Sequence, residues 1–187
     1  MLTNIKKYCV GFPIQSALEG LTALMAEHQL KADHIESIAV RLPESGAHTV
    51  NDRDMPDINL QYNFAVTLID GAPTFEAAHS FERMADPAVL ALRKKITLTG
   101  DPELTRARPE NQSIVFVTTR DGRKLERRTT TVKGRADNPL TTAEVETKAQ
   151  ELMAPVLGEK RTRELMDAIQ KLETVASVRE LRPLLSA

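Results

Sequence analysis

Two places in this chain carry residue types suited to work on an anionic molecule. Lys6 and Lys7 set two ammonium groups beside an extended apolar segment, just ahead of a helix start, an arrangement that can hold an anion. The other reading of the pair is a solvated lysine couple near a chain end. Tyr62 is the one phenol of an otherwise apolar helical stretch, where it can donate a hydrogen bond or shuttle a proton. Its other reading is a core tyrosine whose hydroxyl bonds to a backbone group. The remaining candidates carry less. His28, His34, His48 and His79 are scattered, none at ligand spacing from a second metal-binding type, and each reads as a surface or capping residue. Cys9 sits in an apolar setting and reads as a small buried hydrophobe rather than a nucleophile. No pair of carboxylates lies in an apolar context that would split their pKa values. There is no Walker loop, no Gly-x-Gly-x-x-Gly and no Gly-x-Ser-x-Gly. No metal or cofactor is therefore expected, and the chain lacks a complete catalytic set of its own.

Composition narrows the class further. With 187 residues, one domain or one plus an appendage can bury a core. Net charge is −1, from 25 basic and 26 acidic residues, so no bulk field favours nucleic acid or an anionic membrane. Aromatics make up 4% with no Trp, which disfavours base stacking. The single cysteine excludes an internal disulfide and fits a reducing compartment. No apolar run approaches the roughly 18 residues of a membrane span, and Met-Leu-Thr-Asn-Ile-Lys-Lys lacks a signal-peptide core. The expectation is a soluble cytoplasmic protein.

The elements that must position these residues are legible from periodicity. Tyr62 belongs to Asn59–Gly71, about three helical turns without a charge between Asn59 and Ile69. Leu60, Phe64 and Leu68 share one side, and Val66 and Ile69 lie on the far side near Tyr62, so the helix must be surrounded by protein. Asp57 or Asn59 can cap it, and Gly71 can end it. Ile5 to Phe12 reads as a short extended piece rich in strand formers. Pro13 opens an amphipathic helix from Ile14 to His28, with Gln15, Glu19, Thr22 and Glu27 on its polar side. Ile35 to Leu42 alternates as a half-buried strand stopped by Pro43. Glu44 to Pro56 reads as a polar connector, Thr74 to Met84 as one helical piece, and Asp86-Pro87 as the cap of a short helix. Ile96 to Thr99 is a strand candidate and Gly100 to Gln112 a surface loop. Ser113 to Thr119 and Lys124 to Lys133 flank Asp121-Gly122 as a hairpin. Thr141 and Glu144 form a capping box for a helix with Val145, Ala149, Leu152, Met153 and Val156 on its apolar side. Glu159 to Leu172 is a further helix, and Val175 to Leu185 a last helical piece.

Several of these stretches resemble one family. Leu60-Gln-Tyr-Asn-Phe-Ala-Val-Thr-Leu-Ile-Asp-Gly71 resembles the tyrosine-containing segment of the MmgE/PrpD family, which includes 2-methylcitrate dehydratase, cis-aconitate decarboxylase and iminodisuccinate epimerase. Lys6-Lys-Tyr-Cys-Val-Gly-Phe-Pro13 is similar to the lysine segment that opens the family's lid domain, with Lys6 the first match and Lys7 the second. Many relatives carry a His a few residues on, where this chain has Gly11 and Phe12. Ile35 to Arg41, Ile114 to Gly122 and Gly134 to Lys148, with its Asn-Pro-Leu-Thr, resemble the family's later strand, hairpin and signature loop.

The resemblance implies an α+β lid domain over residues 1–136, with a small mostly antiparallel sheet covered by helices, followed by an all-helical tail over 137–187. It implies part of a metal-free, cofactor-free lyase acting on a di- or tricarboxylate. Lys6 and Lys7 would bind substrate carboxylate, and Tyr62 would serve as proton donor or substrate contact. It also implies a helical N-terminal domain or subunit outside this chain, on which the tail would pack, and a possible homodimer. The rival expectation is a non-catalytic module or inactive fragment that pairs with a separate helical subunit.

Overall fold

The computed structural model describes residues 3–186, which fall into two compact units divided between Pro139 and Leu140. In the first unit, a 3-10 turn at Phe12–Ile14 leads into α1 (Gln15–His28), then β1 (Ile35–Pro43), α2 (Glu44–Val50) and α3 (Leu60–Asp70). There follow α4 (Phe75–His79), α5 (Phe81–Met84), α6 (Pro87–Arg93), β2 (Ile96–Asp101), α7 (Pro102–Arg106), β3 (Ser113–Thr119) and β4 (Lys124–Thr129). The architecture is α+β, as the resemblance implies. The four strands form one sheet in the order β2-β1-β3-β4. β1 pairs antiparallel with β3 and β3 with β4, whereas β1 and β2 run parallel, so the sheet is mixed.

That parallel pair explains where the central helix lies. Parallel neighbours cannot be joined by a tight turn and need a crossover. Here the crossover from Pro43 to Ile96 contains α2 through α6. α3 packs on α1, α6 and β2, and α1 packs on β3 and β4. Ile38, Val40 and Leu42 of β1 and Val115 and Val117 of β3 turn toward these helices and are buried. The other face is open, with Arg41 stacked over the Phe116 ring at 5.3 Å. Asn59 caps α3 by accepting the Tyr62 amide at 2.8 Å, and Gly71 ends it at φ 85°. From Leu60 to Leu68 every residue of α3 is buried, as its lack of a polar face requires.

Five local expectations are corrected. Ile5–Phe12 joins no strand: residues 7–10 bend, Phe12 begins the 3-10 turn, and the backbone groups are taken up by a side chain and by loops, as detailed below. Glu44–Val50 is helical rather than a connector. Its only buried residues are Ala47 and Val50, too few to make a periodic signal. Pro102–Arg106 is a helix inside the supposed loop: Asp101 accepts the amides of Glu103 and Leu104, and Leu104 is buried. Asp101-Pro102 is the same cap-then-proline pair that marks α6 at Asp86-Pro87. The Thr74–Met84 piece is broken in two, because Thr74 caps α4 and Ser80 caps a second start at α5. β4 ends at Thr129 rather than Lys133.

The second unit is helical. α8 (Thr142–Leu157) begins at the Thr141/Glu144 capping box, and Gly158 separates it from α9 (Glu159–Gln170). The two helices pack as a hairpin, and a 3-10 segment at Val178–Leu184 packs on α9. No residue of α8 is fully buried, and Val156, Ile169, Leu172, Val178 and Leu185 are exposed.

Candidate functional site

The lysine segment is fastened on several sides. Gln15, placed by the sequence reading on the polar side of its helix, is wholly buried. Its Nε2 donates to the carbonyls of Tyr8 (2.9 Å) and Val10 (3.3 Å), and its Oε1 accepts the Tyr8 amide at 3.1 Å. One side-chain amide thus does for residues 8–10 what a neighbouring strand would do. Farther along, the Gly11 amide donates to the Asp57 carbonyl (2.8 Å), tying the segment to the turn ahead of α3. At its start, the Ile5 amide donates to the Gly134 carbonyl at 2.8 Å, and the Ala136 amide to Asn4 Oδ1 at 3.1 Å. Lys6 is exposed and its Nζ donates to the Val10 carbonyl (3.0 Å). Lys7 is half-buried with its Nζ 5.2 Å from the centre of the Tyr8 ring, a cation–π contact.

Gln15→Leu is expected to destabilise the first unit by about 2–4 kcal/mol, because the Tyr8 amide and carbonyl lose this partner and the Val10 carbonyl keeps only Lys6, while the volume is kept. Urea denaturation measures this. A loss under about 1 kcal/mol would show that the segment does not depend on the amide.

Tyr62 is fully buried, and its hydroxyl donates to the carbonyls of Ala77 and of Ser80, the latter at 3.2 Å. Burial pushes its pKa up to about 12, opposed by the field of Arg83. The phenol therefore pins α4 and the start of α5 to the central helix. Ala77 and Ser80 belong to the wall of a cleft of about 590 Å³, which also contains Asp70, Glu76, Glu82, Arg83 and Asp86. Arg83 bridges Asp70 at 2.6 Å and Asp86, joining the end of α3 to the cap of α6. Asp86 is held below the usual carboxylate range by the Ala88 amide first and by Arg83 after it. Four carboxylates against one guanidinium make this cleft unsuited to a polycarboxylate. Lys6 and Lys7 are not in its wall. The structure thus brings the lysines to the Gly134 turn rather than to the Tyr62 hydroxyl. Neither the Gln15 clamp nor the Arg83 bridge was visible in the sequence, since each joins a polar side chain to partners in other elements that no local pattern links to it.

Among the described residues no group of three or more His, Cys, Asp or Glu side chains is set to hold a metal ion, and no helix is long and apolar enough to cross a membrane. The sequence profile of the MmgE/PrpD C-terminal domain matches residues 8–174. The chain belongs to the MmgE/PrpD family. This MmgE/PrpD chain is also similar to the 2-methylcitrate dehydratase-like protein oryR of Aspergillus oryzae, at 30% identity over 172 residues. That similarity covers 82% of this chain and 34% of the relative, so the chain spans about a third of the relative's length. Tyr62 and Gly134 lie inside the region matched by the MmgE/PrpD profile, and Lys6 and Lys7 lie just ahead of it.

Proposed function

We propose that this chain is the C-terminal part of a lyase of the 2-methylcitrate dehydratase type, acting on a di- or tricarboxylate. The observation that carries the reading is the fastening of the Lys6-Lys7 segment. Fixing a basic chain segment costs conformational entropy. Here Gln15, Asp57 and Gly134 hold it in advance of any ligand, which is how a site gains affinity by preorganisation. In the reaction, a base removes a proton alpha to a carboxylate, the carbon–oxygen bond breaks, and hydroxide departs as water while a double bond forms. Lys6 and Lys7 neutralise the substrate carboxylates, whose burial unpaired would be costly. The base is supplied by helical polypeptide outside these 187 residues, on which the second unit packs. The exposed Val156, Ile169, Leu172, Val178 and Leu185 support that docking. Tyr62 serves by holding α4 and α5. A direct proton-donor role would require its hydroxyl to leave the Ala77 and Ser80 carbonyls.

Isothermal titration with citrate tests the substrate class. Lys6→Ala is expected to weaken binding at least tenfold, and unchanged affinity would refute the assignment. Independence of metal and a cytoplasmic location belong to the same reading. Turnover by the assembled enzyme after dialysis against EDTA checks the first, and cell fractionation the second. The rival reading, a non-catalytic module that pairs with a helical subunit, rests on the same exposed residues. It would be favoured by a stable complex, seen by light scattering, that binds no carboxylate.

A further inference from the structure

We propose that the edge formed by residues 4–8 and 133–138 is one polyanion-binding surface, in which Arg135, flanked by Lys133, grips a second carboxylate of the molecule whose first meets Lys6 and Lys7. It rests on the reading above that the ligand is a polycarboxylate. The two segments meet backbone to backbone. Gly134 has φ +90°, and a Cβ there would lie 1.9 Å from the Ile5 carbonyl oxygen and 3.5 Å from the Lys7 nitrogen. No side chain fits between them, and the approach is held by the Ile5–Gly134 and Ala136–Asn4 hydrogen bonds.

The turn is itself fixed. The Gly134 amide donates to the Asn138 carbonyl (2.8 Å), the Asn138 amide to the Arg135 carbonyl (3.1 Å), and the Lys133 amide to Glu19 Oε1 on α1 (2.7 Å). The joined segments carry Lys6, Lys7, Lys133 and Arg135 against Asp137 alone, with Glu19 added from α1. This local positive excess stands on a chain whose net charge is −1. Arg135 engages Asp137 through Nε at 3.1 Å, and the edge formed by its two Nη groups can also take a carboxylate in two parallel bonds. A lysine pair supplies point charge, and an arginine fork beside it adds geometry. Such a surface separates polycarboxylates from monocarboxylates.

The test is an amide-resolved NMR titration of the full chain with citrate, acetate and inorganic phosphate. Citrate is expected to shift the amides of Lys6, Lys7 and Gly134–Ala136 with one shared Kd. Arg135→Gln raises that Kd at least tenfold and Arg135→Lys at least threefold, while acetate binding changes less than twofold. Shifts confined to Lys6 and Lys7, or a citrate Kd unmoved by Arg135→Gln, overturn this inference and leave the lysine assignment standing. Citrate shifts at neither segment overturn both. Phosphate matching citrate in Kd and in its response to the variants shows a general anion patch and overturns the proposed selectivity. Superimposable spectra of the free variants establish that each is folded.

Discussion

Tyr62→Ala is expected to lower the stability of the first unit by about 3–5 kcal/mol, the usual cost of deleting a buried aromatic ring. The ring is fully enclosed, in a helix with no solvent face along Leu60–Leu68. Tyr62→Phe separates the hydroxyl from the ring. It removes the hydroxyl's bonds to the Ala77 and Ser80 carbonyls, which keep the backbone amides of Ser80 and Met84, and should cost about 0.5–1.5 kcal/mol. Guanidinium denaturation of both variants measures the two contributions, and Tyr62→Phe equal to the parent would refute the pin. The same hydroxyl predicts a pH dependence. The unfolded phenol ionises near its ordinary value of 10, and burial moves the folded one to about 12. The folded pKa being the higher, the full contribution is present below pH 10 and is lost as pH rises from 10 through 12. Over that window the parent should lose roughly 2–3 kcal/mol more than Tyr62→Phe does. With two tyrosines and no Trp in the chain, the difference absorbance of parent and variant reads the ionisation directly.

Gly134→Ala should have the largest local effect. The new Cβ would overlap the Ile5 carbonyl oxygen, and φ +90° is a conformation alanine rarely adopts. Backbone strain and the loss of the Ile5–Gly134 and Ala136–Asn4 hydrogen bonds together amount to roughly 2–4 kcal/mol. The lysine segment is expected to detach: the Ile5 amide should exchange with solvent at least a hundredfold faster, while amides of α3 change little. Gly122→Ala is the control, since its φ is similarly positive at +87° but nothing lies within 4 Å of the added carbon. It should cost about 1 kcal/mol, from strain alone, and leave Ile5 protected. Unchanged exchange at Ile5 in Gly134→Ala would show that the turn does not hold the segment.

What could be read from the sequence was whatever depends on neighbours in the chain. α3 announced itself by having no polar side, α1 and β1 by their periods, α8 by Thr141 and Glu144, and the hairpin by Asp121-Gly122. α2 and α7 escaped because one or two buried residues suffice to anchor a helix of five to seven residues, below what periodicity detects. The parallel pairing of β1 with β2 escaped because register across a long crossover leaves no local mark. The candidate site was half legible. Lys6 and Lys7 stood out by charge, but their partner turn lies more than a hundred residues away, and Gln15 looks like any polar residue on an amphipathic helix.

The placement of β1 bears on how the protein is made. Both of its neighbours come later in the chain: Ile38 pairs with Ile96 on one side and with Val117 on the other. At about 5–20 residues per second, the nascent strand waits several seconds with both edges unpaired and its Ile38, Val40 and Leu42 stripe sheltered by α1 at most. β3 and β4, separated only by their own turn, can close within microseconds of emerging. β2 emerges before the hairpin and is the first neighbour available to β1, so one edge of β1 stays open until α2 to α6 have been made and the other until β3 follows.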